Sequence, residues 1–261
     1  MNYQRQQQMQ KPQPKYQFYA TLLDGFEGYI NSSRTYQEYW GFSENPSKTE
    51  EEFEQEQYQG LIDRINRVPF ESEAADRGTA FNEVIDCIIE NRISTTMEIK
   101  SFKESGVIAV HYKQHVFNFP FDICVEVAKY LKDALTQQFT DGIIETKYGP
   151  VRLYGYIDQL LPFKIVDIKT TSKYSAFKYQ NNWQHKVYPF CLKQNGVDID
   201  EFEYVITDFK NTWSEHYRFI PEKDVVELTS HVERFIEFLE LNREKITDTK
   251  IFCLDAIEVV E

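Results

Sequence analysis

Two aspartates and a lysine, Asp158, Asp167 and Lys169, sit in the stretch GYIDQLLPFKIVDIKTT, among residues that otherwise favour burial. Charge placed inside apolar strands is expensive unless it is paired. If segments 151–160 and 164–169 form an antiparallel hairpin about Pro162 and Phe163, Asp158 faces Asp167 and Tyr156 faces Lys169. Side chains alternate along a strand, so the three charged groups then share one face. Proline fixes φ near −65° and excludes the usual mirror-image two-residue turn, so a four-residue loop over 161–164 is expected. A loop of odd length would shift the register by one and separate the aspartates. Like charges directly opposite destabilise a sheet. Carboxylates gathered in this way suit a divalent cation such as Mg²⁺, which takes oxygen ligands near ~2.1 Å. The residues alone leave two other arrangements open: both aspartates fan out to solvent at a sheet edge, or Lys169 neutralises one of them. Asp-x-Lys itself is uninformative, since it recurs at 208–210 and 248–250; the hairpin context is what separates the first copy.

The elements that must position these groups follow from the apolar pattern. The chain has 261 residues, 41% hydrophobic and 27% charged, enough for one large domain. Residues 1–15 are Gln-rich and proline-containing and read as a disordered tail, with a single domain over 16–261. Apolar spacing predicts helices within 16–40, over 50–67 and over about 74–92, the last with Ala80, Phe81, Val84, Ile85, Ile88 and Ile89 on one side. Three alternating runs at 96–102, 107–112 and 115–119 predict a β-meander inserted at about 95–119. A helix over 120–139, strands at 142–148, 151–160 and 164–169, a helix over 174–193, strands at 201–209 and 213–220, and a helix from Pro221 to about 245 complete the order. The expected class is α/β (α+β), a central mixed sheet flanked by helices.

Composition narrows the function classes. No apolar run reaches the ~18 residues of a membrane span, and no signal-peptide pattern opens the chain. Four scattered cysteines, without CxxC spacing, predict reduced thiols in a cytoplasmic setting and neither zinc nor an Fe–S cluster. Net charge is −13, yet six lysines face one acid between Gln159 and Lys193. That local excess predicts a basic helix able to hold a phosphate backbone despite the acidic body. His111 and His115 flank a turn and read as solvated surface residues, and His185 as a neighbour of phosphate or carboxylate.

Gly155-Tyr-Ile-Asp158, Asp167-Ile-Lys169 and Gln184-His-Lys-Val-Tyr188 occur in the order and with the spacing of the PD-(D/E)XK nuclease superfamily, and the chain resembles its RecB-like exonuclease branch over about residues 18–220. The core motifs span 74–220. RGTAFNE resembles the branch's first motif, with Asn82 standing where His is usual; Glu145 resembles a further acidic position. The resemblance implies a restriction-endonuclease-like core and Mg²⁺- or Mn²⁺-dependent hydrolysis of DNA phosphodiester bonds, most simply as an exonuclease on linear DNA in recombination or repair. It implies metal ligands at Asp158, Asp167, the Ile168 carbonyl, and Asn82 or Glu83. Lys169 is the implied third catalytic group, orienting water or stabilising charge. Gln184, Tyr188, Lys173 and Lys186 are the implied DNA-binding residues, contacting DNA without reading sequence, and Pro189 is expected to kink their helix so that Gln184, Lys186 and Tyr188 aim at the strand. A helicase or a single-strand annealing protein is the implied partner. The alternatives are an inactive nuclease fold serving as a DNA-binding or scaffold module, and an RNase or structure-specific endonuclease of the same superfamily.

Overall fold

The computed structural model describes residues 13–253. Most of the expected tail, and residues 254–261, therefore lie outside the described residues. The chain runs β1 (Tyr16–Tyr19), α1 (Ala20–Ile30), α2 (Ser32–Trp40), α3 (Glu50–Ile65) and α4 (Glu73–Glu90). The meander β2 (Glu98–Phe102), β3 (Val107–Tyr112) and β4 (His115–Pro120) leads into α5 (Phe121–Tyr130). Then come β5 (Leu135–Thr146), β6 (Gly149–Leu161), β7 (Lys164–Thr170), α6 (Gln184–Gln194), β8 (Glu201–Thr207), β9 (Thr212–Arg218) and α7 (Pro221–Leu241). A six-stranded mixed sheet of order β1-β6-β7-β8-β9, with β5 also on β6, carries helices on both faces; β2–β4 form a separate antiparallel sheet. The fold is thus the expected α+β class. Among the described residues, no helix is long and apolar enough to cross a membrane.

Two buried clusters lie on the two faces of the sheet. One joins α1, α3, α6 and α7 to Leu153, Ile157, Ile165 and Tyr204. The other joins α4, α5 and the meander to Val166, Ile168 and Val205. Neighbours on β7 thus belong to opposite cores, as period two requires.

Three expected helices are shorter than predicted, because distant segments claim part of each. Residues 16–19 form a strand parallel to β6, pairing Phe18 with Leu153 and Tyr19 with Tyr154. The helix expected over 120–139 stops at Tyr130, and the chain turns through Asp133 at φ +68°. Leu135–Thr146 then alternates, with Thr136, Thr140, Gly142 and Ile144 buried, so it is a strand. The expected helix over 174–193 begins only at Gln184. In the preceding turns the Glu215 carboxylate accepts the amides of Lys178 and Tyr179, replacing helical acceptors with a side chain from β9.

Candidate active site

Strand β6 is the pivot. Along one edge it pairs with β5 from Gly149 to Leu160, with a gap at Asp158; along the other it pairs with β1 at 151–154 and with β7 only at 159–161. Residues 155–158 therefore have no ladder partner on that edge, and a cleft of about 490 Å³ opens in the split. Its lining brings together Asn82, Asp158, Asp167, Lys169, Gln184 and Tyr188, with the first residues of α1 and Tyr154 and Tyr156 at its mouth.

The hairpin keeps the expected register, with Leu161 paired to Lys164 and Gln159 to Val166. The loop differs: two residues, Pro162 and Phe163, close it, and neither has the positive φ of a mirror-image turn. Beyond Gln159 the ladder ends and side-chain bonds replace it. Asp158 Oδ2 accepts the Ile168 amide at 3.1 Å and Asn82 Nδ2 at 3.2 Å. The pleat also breaks here. Ile157 lies in the core beneath α6, whereas Gln159, two residues on, bonds to Asp86 of α4 on the other face. The residue of β5 across from Asp158 is Gln137, at φ +49°, so both strands twist over at this point.

Asp167 and Lys169 are held from α6. Asp167 Oδ2 lies 2.8 Å from Lys169 Nζ; Gln184 donates Nε2 to Asp167 Oδ1 at 2.6 Å and accepts from Lys169 Nζ at 2.8 Å. One amide thus fixes both charged groups. The Tyr188 ring, four residues on and so on the same side of α6, packs on Gly155: a Cβ there would sit 2.7 Å from Tyr188 Cε1. The glycine of Gly-x-x-Asp is required by that approach.

Electrostatics mark an unmet demand for positive charge. Burial and the neighbouring Asp167 carboxylate push the Asp158 carboxyl up to about 7. Burial works against the Lys169 ammonium, but the Asp167 and Asp158 carboxylates outweigh it and hold its pKa above the ordinary value. Two acids that the sequence reading missed stand close behind. Asp24 of α1 accepts the Trp183 amide at the start of α6, and burial raises its carboxyl to about 7. Asp86 of α4 accepts from Gln159 and Gln137, and burial raises it to about 6. Asp86 lies four residues from Asn82 on one helix side, a spacing that could have signalled it; no local pattern marks Asp24.

These residues fit a divalent cation. Asn82 Oδ1 is buried with no hydrogen-bond partner, while its Nδ2 braces Asp158. With the two carboxylates and the Ile168 carbonyl it completes an all-oxygen donor set, the kind that Mg²⁺ and Mn²⁺ take.

Other sequence candidates lie elsewhere. Glu83 is bound by Arg92 at 2.7 and 3.1 Å, and that pairing lowers its pKa, so Asn82 and not Glu83 faces Asp158. Glu145 is exposed at the far end of β5, opposite Pro150, because the strand carries it away from the split. Lys186 is turned from the aspartates and pairs with Glu227 and Asp224 of α7, against the expectation that it aims at a strand with Gln184 and Tyr188. Lys173 is exposed in the loop after β7, outside the cleft. The expected basic excess is largely paired: Lys164, on β7, binds Glu203 from β8, and Lys193 binds the nearby Asp198 and Asp200. Gln184 and Tyr188, 3% and 4% exposed, are walls behind the carboxylates and present little surface to a ligand. His185 is buried against Tyr217 with its pKa pushed down to about 3 by burial, so it meets neither phosphate nor a carboxylate of the cleft.

No protein-family model and no curated protein matches the chain. Four solved chains match it. One, titled "Crystal structure of SSO0001", is 15% identical with a TM-score of 0.34, over 45% of this chain and 57% of that one.

Proposed function

We propose that this protein is a metal-dependent DNA nuclease of the RecB-like PD-(D/E)XK type, acting as an exonuclease on linear DNA. The observation that carries the reading is the convergence, in one split of the sheet, of Asp158, Asp167 and Lys169 with a buried, unpartnered Asn82 oxygen. A restriction-endonuclease-like core is the corresponding reading of the fold.

Asp158, Asp167, Asn82 Oδ1 and the Ile168 carbonyl would hold Mg²⁺ or Mn²⁺, which when bound lowers the pKa of water and offsets charge on a phosphate. Lys169 donates toward the attacking water or the phosphoryl oxygens, and Gln184 keeps its ammonium beside Asp167. α1 opens on the cleft without a side-chain cap and without an acid in its first turn, so its first amides are available to a phosphate. Gln184 and Tyr188 act by positioning. With Lys164, Lys186 and Lys193 engaged by acids, phosphate affinity rests on the cleft itself.

End-labelled linear duplex and single-stranded DNA should shorten with Mg²⁺ or Mn²⁺ and stay intact with chelator, and Asp167→Ala should abolish the products. Products that persist in chelator or in Asp167→Ala would sink the reading. Asn82, in the place of a histidine, favours a second reading: an inactive DNA-binding or scaffold module, indicated by no Mn²⁺ or Mg²⁺ uptake in calorimetry. Closed-circular DNA and RNA substrates separate the endonuclease and RNase readings of the same cleft. A helicase or single-strand annealing partner belongs to the same proposal.

A further inference from the structure

The sheet face that α4 and α5 cover over β7, β8 and the 136–137 and 159 ends of β5 and β6 is exposed further along these two strands, at Phe139 and Tyr156. There Leu153 and Ile157 point inward, and the alternate residues Arg152, Tyr154 and Tyr156 point outward. Tyr156 stands across from Phe139, and Tyr154 beside Tyr19 of β1. The four rings form a continuous chain with centroids 6.1 Å apart for Tyr19–Tyr154, 6.5 Å for Tyr154–Phe139 and 5.2 Å for Phe139–Tyr156. Neighbours are tilted by 40–60°, so each ring keeps a face or an edge of its own. Two guanidinium groups interleave with them: Arg67 lies 5.8 Å over Tyr19, and Arg152 lies 5.6 Å over Tyr154 and 5.7 Å over Phe139.

Tyr19 packs partly on the core, but the other end of the stripe is not needed for packing: Phe139 is 50% and Tyr156 59% exposed, where a threonine or valine would also pair the strands. Its place is the second observation. Tyr19, Tyr154, Tyr156 and Arg67 form the mouth of the cleft, and Tyr156 is two residues from Asp158. Rings alternating with guanidinium groups beside a cation-fitting cleft match one class of occupant: a nucleic-acid strand whose bases are free to stack. A duplex buries its base faces and offers none to the rings.

We propose that Tyr19, Tyr154, Phe139 and Tyr156 form a stacking platform for single-stranded DNA that feeds the cleft at Asp158. The inference rests on the nuclease reading only for what happens at the cleft; binding to the platform is independent of hydrolysis. The two guanidinium groups are already ion-paired, Arg67 with Asp248 at 2.6 Å and Arg152 with Asp141 at 2.7 Å. Affinity therefore comes from stacking more than from phosphate neutralisation, and a shallow salt dependence follows.

The test is fluorescence anisotropy of labelled (dT)20 with the full chain in EDTA, where no metal-dependent cutting occurs. Wild type should bind (dT)20 more tightly than a blunt duplex of equal length. Phe139→Ala and Tyr156→Ala should each weaken binding roughly tenfold or more, and Tyr156→Phe, which keeps the ring, should not. The slope of log affinity against log salt should be no steeper than about −1.5, about two phosphates neutralised. Both alanine variants replace exposed side chains, and circular dichroism confirms their fold. Equal affinity for the duplex, no binding of (dT)20, or unchanged affinity in both alanine variants would overturn the platform. So would a wild-type dimer that dissociates in Phe139→Ala while (dT)20 affinity stays constant, since the face then serves a second copy. A protein that binds (dT)20 through these rings but never cuts DNA defeats the nuclease reading alone; one that cuts while the alanine variants bind normally defeats the platform alone.

Discussion

Neutralising Asp158 should stabilise the metal-free protein, and only at high pH. The carboxyl rises from 3.8 to about 7 through burial and the Asp167 carboxylate. A folded state that holds its proton more tightly than the unfolded chain loses stability as the pH climbs through the interval between the two values, here about 4 to about 7. At about 1.36 kcal/mol per unit the full loss is about 4 kcal/mol. Asp158 lines a cleft that admits solvent, and the screened loss is about 2 kcal/mol. Asp158→Asn removes the ionisation, and its amide oxygen can still accept the Ile168 amide. The variant should unfold about 4–8 °C above wild type at pH 8 in EDTA, and within a degree or so of it at pH 4. Mg²⁺ at millimolar concentration should raise the wild-type midpoint at pH 8 and do little to the variant. Thermal unfolding followed by circular dichroism at the two pH values reads all of this. A variant less stable than wild type at pH 8, or a gain equal at both pH values, refutes the claim that the carboxylate is held against its preference.

Three further outcomes follow from the same geometry. Asn82→Ala deletes an orphaned buried oxygen but also the amide bond to Asp158, so apo stability should fall by about 1–2 kcal/mol while Mn²⁺ affinity by calorimetry falls about tenfold or more; unchanged affinity removes Asn82 from the ligand set. Gly155→Ala drives a methyl into the Tyr188 ring and should cost about 1–3 kcal/mol in chemical denaturation, and a Tyr188→Ala background should absorb most of that cost; additive losses contradict the contact. Lys186→Ala breaks the pairing to Glu227 and Asp224 and should cost about 1–2 kcal/mol of stability with DNA affinity unchanged; a drop in affinity at preserved stability would return Lys186 to the DNA interface.

Much of this architecture is legible in the residues because it is local. The hairpin register follows from period two on both flanks of Pro162, and it holds even though the loop has two residues where four were expected. The meander and the Pro221 start of α7 are read from alternation and from proline's fixed φ. Local signals also mislead. Residues 120–139 carry a plausible helical stripe, yet Leu135 belongs to a strand whose partner is Leu160, and pairing with a distant segment overrides propensity.

The fate of charge lies beyond the sequence. Six lysines between Gln159 and Lys193 look like a basic face, but which acids meet them depends on elements folded far away: Glu203 from β8 on Lys164, Glu227 from α7 on Lys186. Coulombic attraction acts over a few ångströms of space and is blind to sequence distance. For the same reason Asp24 stands behind the site with no local pattern to announce it, while Glu83 and Glu145 leave it. The sequence by itself determines the hairpin that sets β6 beside β7, with Asp167 and Lys169 on one face of β7, because a two-residue period and a short turn need only neighbours. Only the tertiary structure decides that β6 is shared between β1 and β7, that its pleat turns over at Asp158, and that an aromatic face opens beside the carboxylates, because each depends on which strand fills the next place in the sheet.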